Sequence, residues 1–231
     1  MNNLDDFLKL DENNKNNNIQ KQLSKEILEW VICVLIAACL ALFFRYFIGT
    51  PTKVKSVSMN PTLIENDTLV LNRLTKTLKK MPNRGDIITF EAPSIDRIEF
   101  KNVDFSNPVA IYNNEPTTFI GKLFYYGLDA GKKSYIKRVI ALPGEHLEIK
   151  NDKVYINGAL LDEPYLDSSV KTTSMDGAFY DFIVPDGCVF AMGDNRSDSK
   201  DCRVFGCIPL NKIEGTVLFR MFPLNKFGKI D

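Results

Sequence analysis

A run without any charged or strongly polar side chain, Trp30–Phe44 (WVICVLIAACLALFF), constrains this chain more than any other stretch. By itself it is short for a bilayer crossing, which takes about 20 predominantly apolar residues. Arg45 can carry its charge to the headgroups, and Trp30–Gly49 then reaches that length. Trp30 near one end and Tyr46 near the other fit aromatic belts at two interfaces. A cleaved secretory signal fits poorly, because the run starts late and no small-residue cleavage site follows it. A buried helix of a soluble protein is the other alternative. The pattern favours a transmembrane helix over residues 27–49, behind a polar, Asn-rich tail at 1–26 that is expected to be disordered or loosely helical. Lys15, Lys21 and Lys25 precede the run and Lys53 and Lys55 follow it, a slight bias toward a cytoplasmic N-terminus.

Beyond the run the periodicity changes. Asp67–Asn72 (DTLVLN) and Asp86–Glu91 (DIITFE) alternate as strands do, with Pro82-Asn83-Arg84-Gly85 as the turn before the second. Further β-runs are predicted at 135–142, 145–150, 153–157, 182–192 (broken by Pro185-Asp186-Gly187) and 215–222, with a hairpin turn at Asn151-Asp152. Strands at this spacing predict a mainly β domain, an antiparallel sheet or barrel spanning residues 50–231. Two intervals fit less well. Residues 92–133 hold a candidate strand at 108–112 and helical spacing at Phe119, Ile120, Leu123 and Phe124, and residues 161–181 are polar and loop-like. Hydrophobic residues make up 45%, enough for a sizeable core, and the formal net charge is zero. No Lys/Arg block interleaved with aromatics points to nucleic acid.

Few residues can carry chemistry. The chain has one histidine, His146, beside the turn Pro143-Gly144-Glu145, where a surface role is the ordinary one. Five cysteines without a CxxC pair, and a single His, argue against a zinc site. Cys33 and Cys39 lie in the apolar run, and Cys202 and Cys207 are candidates for a disulfide if their part of the chain is extracytoplasmic. The unusual string is Ser56-Val57-Ser58-Met59-Asn60-Pro61-Thr62-Leu63, directly after the apolar run. In an extended segment Ser56 and Ser58 share a face. One hydroxyl can then attack a carbonyl while the other holds the developing oxyanion; a Ser-rich loop leaving an anchor is the plainer alternative. With no suitable imidazole, a serine nucleophile needs another base, and lysine is the usual substitute. Lys137 sits among Tyr135, Ile136, Val139 and Ile140, and burial in such a strand lowers an amine's pKa. Arg138 is expected on the opposite, exposed face.

Three stretches in this order, Ser56–Leu63 (SVSMNPTL), Tyr135–Glu145 (YIKRVIALPGE) and Met192–Arg203 (MGDNRSDSKDCR), together resemble the bacterial type I signal peptidases, Ser-Lys enzymes that remove signal peptides from exported proteins. Gly85–Phe90 (GDIITF) also looks like a strand of that family. The likeness covers about residues 27–223 and is poor over 92–133. It implies Ser58 as nucleophile, Lys137 as general base, the Ser56 hydroxyl with the Ser58 backbone N–H as oxyanion hole, and Ser199 as the hydroxyl that orients the lysine. Many relatives carry Gly at the Ser56 position, and Ser keeps a side-chain donor there. It implies structural roles for Asp194, Asn195, Arg196, Asp201 and Arg203, with an Asp201–Arg203 pair supporting Ser199; without the likeness this stretch reads as a polar surface loop. Val54, Met59, Leu63, Tyr135 and Ile136 would line the pocket for the residue before the scissile bond, or else are plain core.

The resemblance further implies cleavage after Ala-X-Ala-like sequences bound as an added strand, no cofactor and no metal. The implied partners are signal peptides of exported preproteins, membrane lipid and, transiently, the secretion translocon. The implied topology puts the N-terminus in the cytoplasm and the catalytic domain on the outer face. The chain departs from the family in its long 92–133 interval, which reads as a substrate-side flap, a membrane contact or a passive loop, a passive surface insertion being the commonest outcome. The interval from Gly144 to Gly193 looks too short for a large second domain. Two other functions compete: a self-cleaving SOS-repressor-type Ser-Lys enzyme, which would lack the anchor, and a non-catalytic membrane-anchored binding domain.

Overall fold

A computed structural model describes residues 2–47, 49–95, 98, 104, 106–113, 115–127, 131–173 and 179–230. The chain forms two units, Met1–Arg45 and Tyr46–Asp231.

The first unit belongs to one helix, α1 (Asn2–Phe47). It starts well ahead of the apolar run, so the polar tail is helical. Its segment Gln20–Phe43, 24 residues, is long and apolar enough to cross a membrane. Trp30, Val34, Leu40 and Phe43 are all exposed. A helix apolar on every side suits hydrocarbon, where all its backbone groups are satisfied internally.

The second unit is mainly β. Its elements are β1 (Gly49–Lys53), β2 (Thr68–Asn72), the short α2 (Leu74–Thr77), β3 (Ile87–Glu91), α3 (Phe119–Gly127), β4 (Ser134–Ala141), β5 (His146–Lys150), β6 (Lys153–Ile156), β7 (Ala159–Leu160), β8 (Asp181–Ile183), β9 (Cys188–Met192), α4 (Cys202–Phe205), β10 (Ile208–Pro209) and β11 (Ile213–Phe222). Seven strands form one sheet in the order β1-β2-β11-β3-β4-β9-β10, and four form a second in the order β7-β6-β5-β8. All the pairings between these strands are antiparallel. The first sheet ends at β1 and β10. The predicted hairpin is β5–β6; Asn151 and Asp152 both take positive φ (51° and 60°), the twist that a two-residue turn between right-twisted strands requires.

Both sheets share one core, in which Val139, Ile140, Phe190 and Met192 of the large sheet meet Leu147, Val154 and Phe182 of the small one. The residues from Gly144 to Gly193 therefore build a second sheet without building a second domain. A smaller cluster of Val54, Met59, Leu63, Leu69 and Ile87, with Ile136, Val217 and Ile230 packed against it, lies beneath the serine-rich segment.

The structure corrects two expectations and decides a third point that the sequence left open. Residues 108–112 are not a strand; Val109 makes a lone parallel bridge to Cys207. Cys202 and Cys207 form no disulfide and are buried thiols, with Cys202 Sγ accepting the Ala191 N–H at 3.2 Å. Burial pushes both thiols well above the usual range. Arg138 is buried, not exposed. Its Nη2 bonds Asp194 at 2.8 Å, its Nη1 donates to the Gly85 carbonyl at 3.0 Å, and its guanidinium lies 3.9 Å from the centre of the Tyr165 ring. A charged residue survives there because each of its three guanidinium nitrogens donates to an acceptor.

Candidate active site

The segment carrying Ser58 is irregular but firmly held. Val54 N–H donates to the Asp67 carbonyl at 2.8 Å, and Asn66 N–H returns to the Val54 carbonyl at 2.9 Å. A turn follows, in which Leu63 N–H donates to the Met59 carbonyl at 2.8 Å. Met59 and Leu63 are fully enclosed and Val54 nearly so. Val54, Met59 and Leu63 turn into the small core, whereas Val57 stays exposed and Ser58 is buried beside Lys137. Ser56 Oγ lies 3.1 Å from Ser58 Oγ, the shared face that the sequence predicts.

Lys137 comes from the neighbouring strand. In β4 exposure falls along the strand, from an open start at Ser134 to full burial from Lys137 onward. Lys137 itself is 3% exposed and Ser58 7%. The amine Nζ sits 2.7 Å from Ser58 Oγ and donates to the Ile136 carbonyl at 2.9 Å. The Tyr135 ring centre is 5.7 Å away. Burial lowers the Lys137 pKa from 10.5 to about 8, against the opposing pull of Asp201, Cys202 and Asp194. Desolvation is the larger effect, and the two carboxylates are already engaged, Asp201 by Arg203 and Asp194 by Arg138.

The loop from Gly193 to Asp201 clamps this pair. Asn195 donates from its backbone N–H to the Ser58 carbonyl at 3.1 Å and from Nδ2 to the Val57 carbonyl at 3.2 Å. Asp201 caps α4 by accepting the Arg203 N–H at 3.2 Å, accepts the Gly193 N–H at 3.0 Å, and pairs with Arg203 through two bonds of 2.8 Å. Burial by itself would raise the Asp201 carboxyl, but Arg203 and the Gly193 N–H hold it below the usual carboxylate range. Arg203 also donates to the Arg196 carbonyl at 2.9 Å. Arg196 donates to the Gly193 carbonyl at 3.1 Å and reaches Glu163 and Thr172. What reads as a polar surface loop is thus a buried network. Its outer partners Glu163, Tyr165 and Thr172 lie in the 161–181 interval, where no local pattern marks them.

Ser199 is buried close to this pair, but the expected bond to the amine is not formed; its hydroxyl instead helps hold the Asp201 carboxyl low. The amine already faces Ser58 Oγ and the Ile136 carbonyl. Gly193 packs against both: a Cβ there would collide with Ser199 Oγ and the Ser58 carbonyl oxygen. It lies inside the Met192–Arg203 string, yet nothing in the sequence singles it out. Of the five pocket candidates, Val54, Met59, Leu63 and Ile136 meet in the small core, while Tyr135 packs against Phe90 and Phe205 of the main one. Met59 and Leu63 present no surface here. They form a floor, and only the half-buried Tyr135 and Ile136 face outward. His146 stands apart, with Nε2 2.8 Å from Asp181 Oδ1 on the small sheet. Among the described residues no His/Cys/Asp/Glu cluster could hold a metal ion.

Residues 27–222 match the family described as "Signal peptidase, peptidase S26". A probable signal peptidase I-1 of Synechocystis sp. is 34% identical over 207 residues, 88% of this chain and 87% of that protein. Signal peptidase I S of Bacillus subtilis is 33% identical over 222 residues, 93% of this chain and 98% of that protein. A signal peptidase I crystal structure from Enterococcus faecalis is 27% identical and covers 59% of this chain and 97% of its own, with a TM-score of 0.35. This chain belongs to the signal peptidase S26 family, and it is a peptidase of the signal peptidase I type.

Proposed function

We propose that this chain is a membrane-anchored serine endopeptidase that removes signal peptides from exported preproteins, with Ser58 as nucleophile and Lys137 as general base. The observation that carries the reading is a buried lysine amine 2.7 Å from a serine hydroxyl. Neutral Nζ takes the Ser58 proton as Oγ attacks the scissile carbonyl, the Ser56 hydroxyl and the Ser58 N–H hold the oxyanion, and the resulting ammonium protonates the leaving amine. Water, activated by the same amine, then hydrolyses the acyl-serine. Ser199, Asp194, Asn195, Arg196, Asp201 and Arg203 act as positioning residues. Strand β9 pairs with β4 from Arg138 to Ala141, so the Ile136–Lys137 end of β4 runs past β9 and can take the substrate as an added strand. Tyr135 and Ile136 over the floor of Val54, Met59 and Leu63 then favour a small residue such as Ala before the cut. The anchor and family imply an N-terminus in the cytoplasm and a catalytic unit on the outer face.

The test uses detergent-solubilised full-length protein and a preprotein with an Ala-X-Ala site, comparing wild type with Ser58→Ala and mapping the cut by mass spectrometry. Cleavage directly after the second Ala, lost in the variant, is expected. Cleavage that survives in Ser58→Ala removes Ser58 as nucleophile. Inactivity of folded wild type in lipid across several preproteins overturns the function.

A further inference from the structure

The long interval before β4 carries a helix whose apolar side is turned away from the protein. At about 100° per residue, Phe119, Ile120 and Phe124 of α3 fall within an arc of roughly 140°, and Tyr125 lies about 170° from its centre. The exposures are inverted relative to an ordinary surface helix. Phe119 is 82%, Ile120 67% and Phe124 51% exposed, whereas Tyr125 is buried.

The orientation is fixed from the polar side. Tyr125 donates its hydroxyl to Glu91 at 3.0 Å, and the Lys132 ammonium stands 5.9 Å from the Tyr125 ring centre. Glu91 ends β3, opposite Ser134 at the start of β4. At the helix start Thr118 accepts the Gly121 N–H on Oγ1 at 3.1 Å and the Lys122 N–H on its carbonyl at 2.9 Å. Gly121 is the residue that fits, since a Cβ there would come within 2.9 Å of the Pro116 side chain. The helix cannot roll its phenylalanines inward without pulling Tyr125 off Glu91.

We propose that α3 is an interfacial helix, with Phe119, Ile120 and Phe124 seated at the headgroup–acyl boundary of the membrane that holds α1. The proposal rests on reading α1 as the anchor. The bilayer is the favoured occupant because the chain itself supplies it: β1 begins at Gly49, two residues after α1 ends at Phe47. A tether that short keeps the catalytic unit at the membrane surface at high effective concentration. The composition agrees, with aromatic and aliphatic residues on one arc and the exposed Lys122 beside it. Because α3 is tied to the β3–β4 end, seating it in the interface places the start of β4, three residues ahead of Lys137, next to lipid.

Trp30 is the one tryptophan in the chain, which makes the test direct. Phe124→Trp and, separately, Phe119→Trp are made in full-length protein carrying Trp30→Phe and reconstituted into phosphatidylcholine vesicles with plain or brominated acyl chains. The expected result is loss of most of the emission in brominated vesicles for both variants, and none for Asp186→Trp in the same background. Wild-type emission, from Trp30 alone, reports the anchor. Quenching of Trp30 without quenching of either α3 variant overturns the proposal and leaves the anchor standing. Absence of both removes the anchor reading and the proposal with it. Emission that is unquenched by lipid but shifts on adding a synthetic signal peptide assigns the face to substrate instead, and a shift that follows protein-to-lipid ratio assigns it to a second copy; either overturns the proposal.

Discussion

Lys137 illustrates how surroundings change what one side chain can do. With a pKa of about 8, roughly one amine in ten is neutral at pH 7, against about one in three thousand at the ordinary 10.5. Cleavage is therefore expected to climb with pH up to about 8 and then level off, read as kcat/KM across pH 6–10. A profile flat between pH 6 and 8 would remove Lys137 as the base. The same shift acts on stability. The folded pKa lies below the unfolded one, so between about pH 8 and 10.5 the unfolded chain holds the extra proton and stability rises with pH, by up to about 3 kcal/mol. Lys137→Met abolishes that penalty. The variant is expected to lose at least 10²–10⁴ in rate while unfolding at pH 7 no earlier than wild type, as a thermal melt would show. A variant that is both inactive and strongly destabilised would mean that the amine is held for structure.

At the scale of elements, the site is a junction of three pieces: the Ser56–Leu63 segment, the start of β4 and the Gly193–Asp201 loop. Gly193 is where the loop touches the first piece most closely. Gly193→Ala forces Ser199 and the Ser58 carbonyl apart. A displacement of about 1 Å at a reacting group costs about 10² in rate, so a loss of that order in kcat with little change in KM is expected, measured on a short peptide. Near-normal kcat would show that the loop can yield without moving Ser58. The strands of this junction were legible because each has a half-buried or fully apolar pattern closed by Gly, Pro or Asn. Strand β1 (GTPTK) was not, since it is short, polar, contains Pro51 and is a strand only because β2 pairs with it. The α3 helix was visible in its spacing, but that its apolar arc faces outward was not.

For the whole molecule, the proposed function divides the labour between α1, which tethers, and the β unit, which carries the chemistry. Deleting residues 1–45 is expected to leave cleavage of a short peptide near wild type while cutting the rate on membrane-inserted preprotein by about 10²–10⁴, the scale of lost effective concentration. Equal losses on both substrates would mean that the helix supports the fold rather than the encounter.

The apolar run, the β-periodicity, the hairpin turn and the serine and lysine motifs were all present in the linear order of residues, because each is set by local geometry and by the free energy of burying apolar groups. The sequence also contained the likeness to signal peptidases, apart from residues 92–133. Tertiary structure alone decided the rest. It brought Lys137 within 2.7 Å of Ser58 across 79 positions of chain. It buried Arg138 against Asp194 where alternation suggested an exposed charge, left Cys202 and Cys207 unpaired, and turned Met59 and Leu63 into a floor. These outcomes depend on which distant groups can satisfy a buried charge or fill a core, and no window of neighbouring residues contains that information.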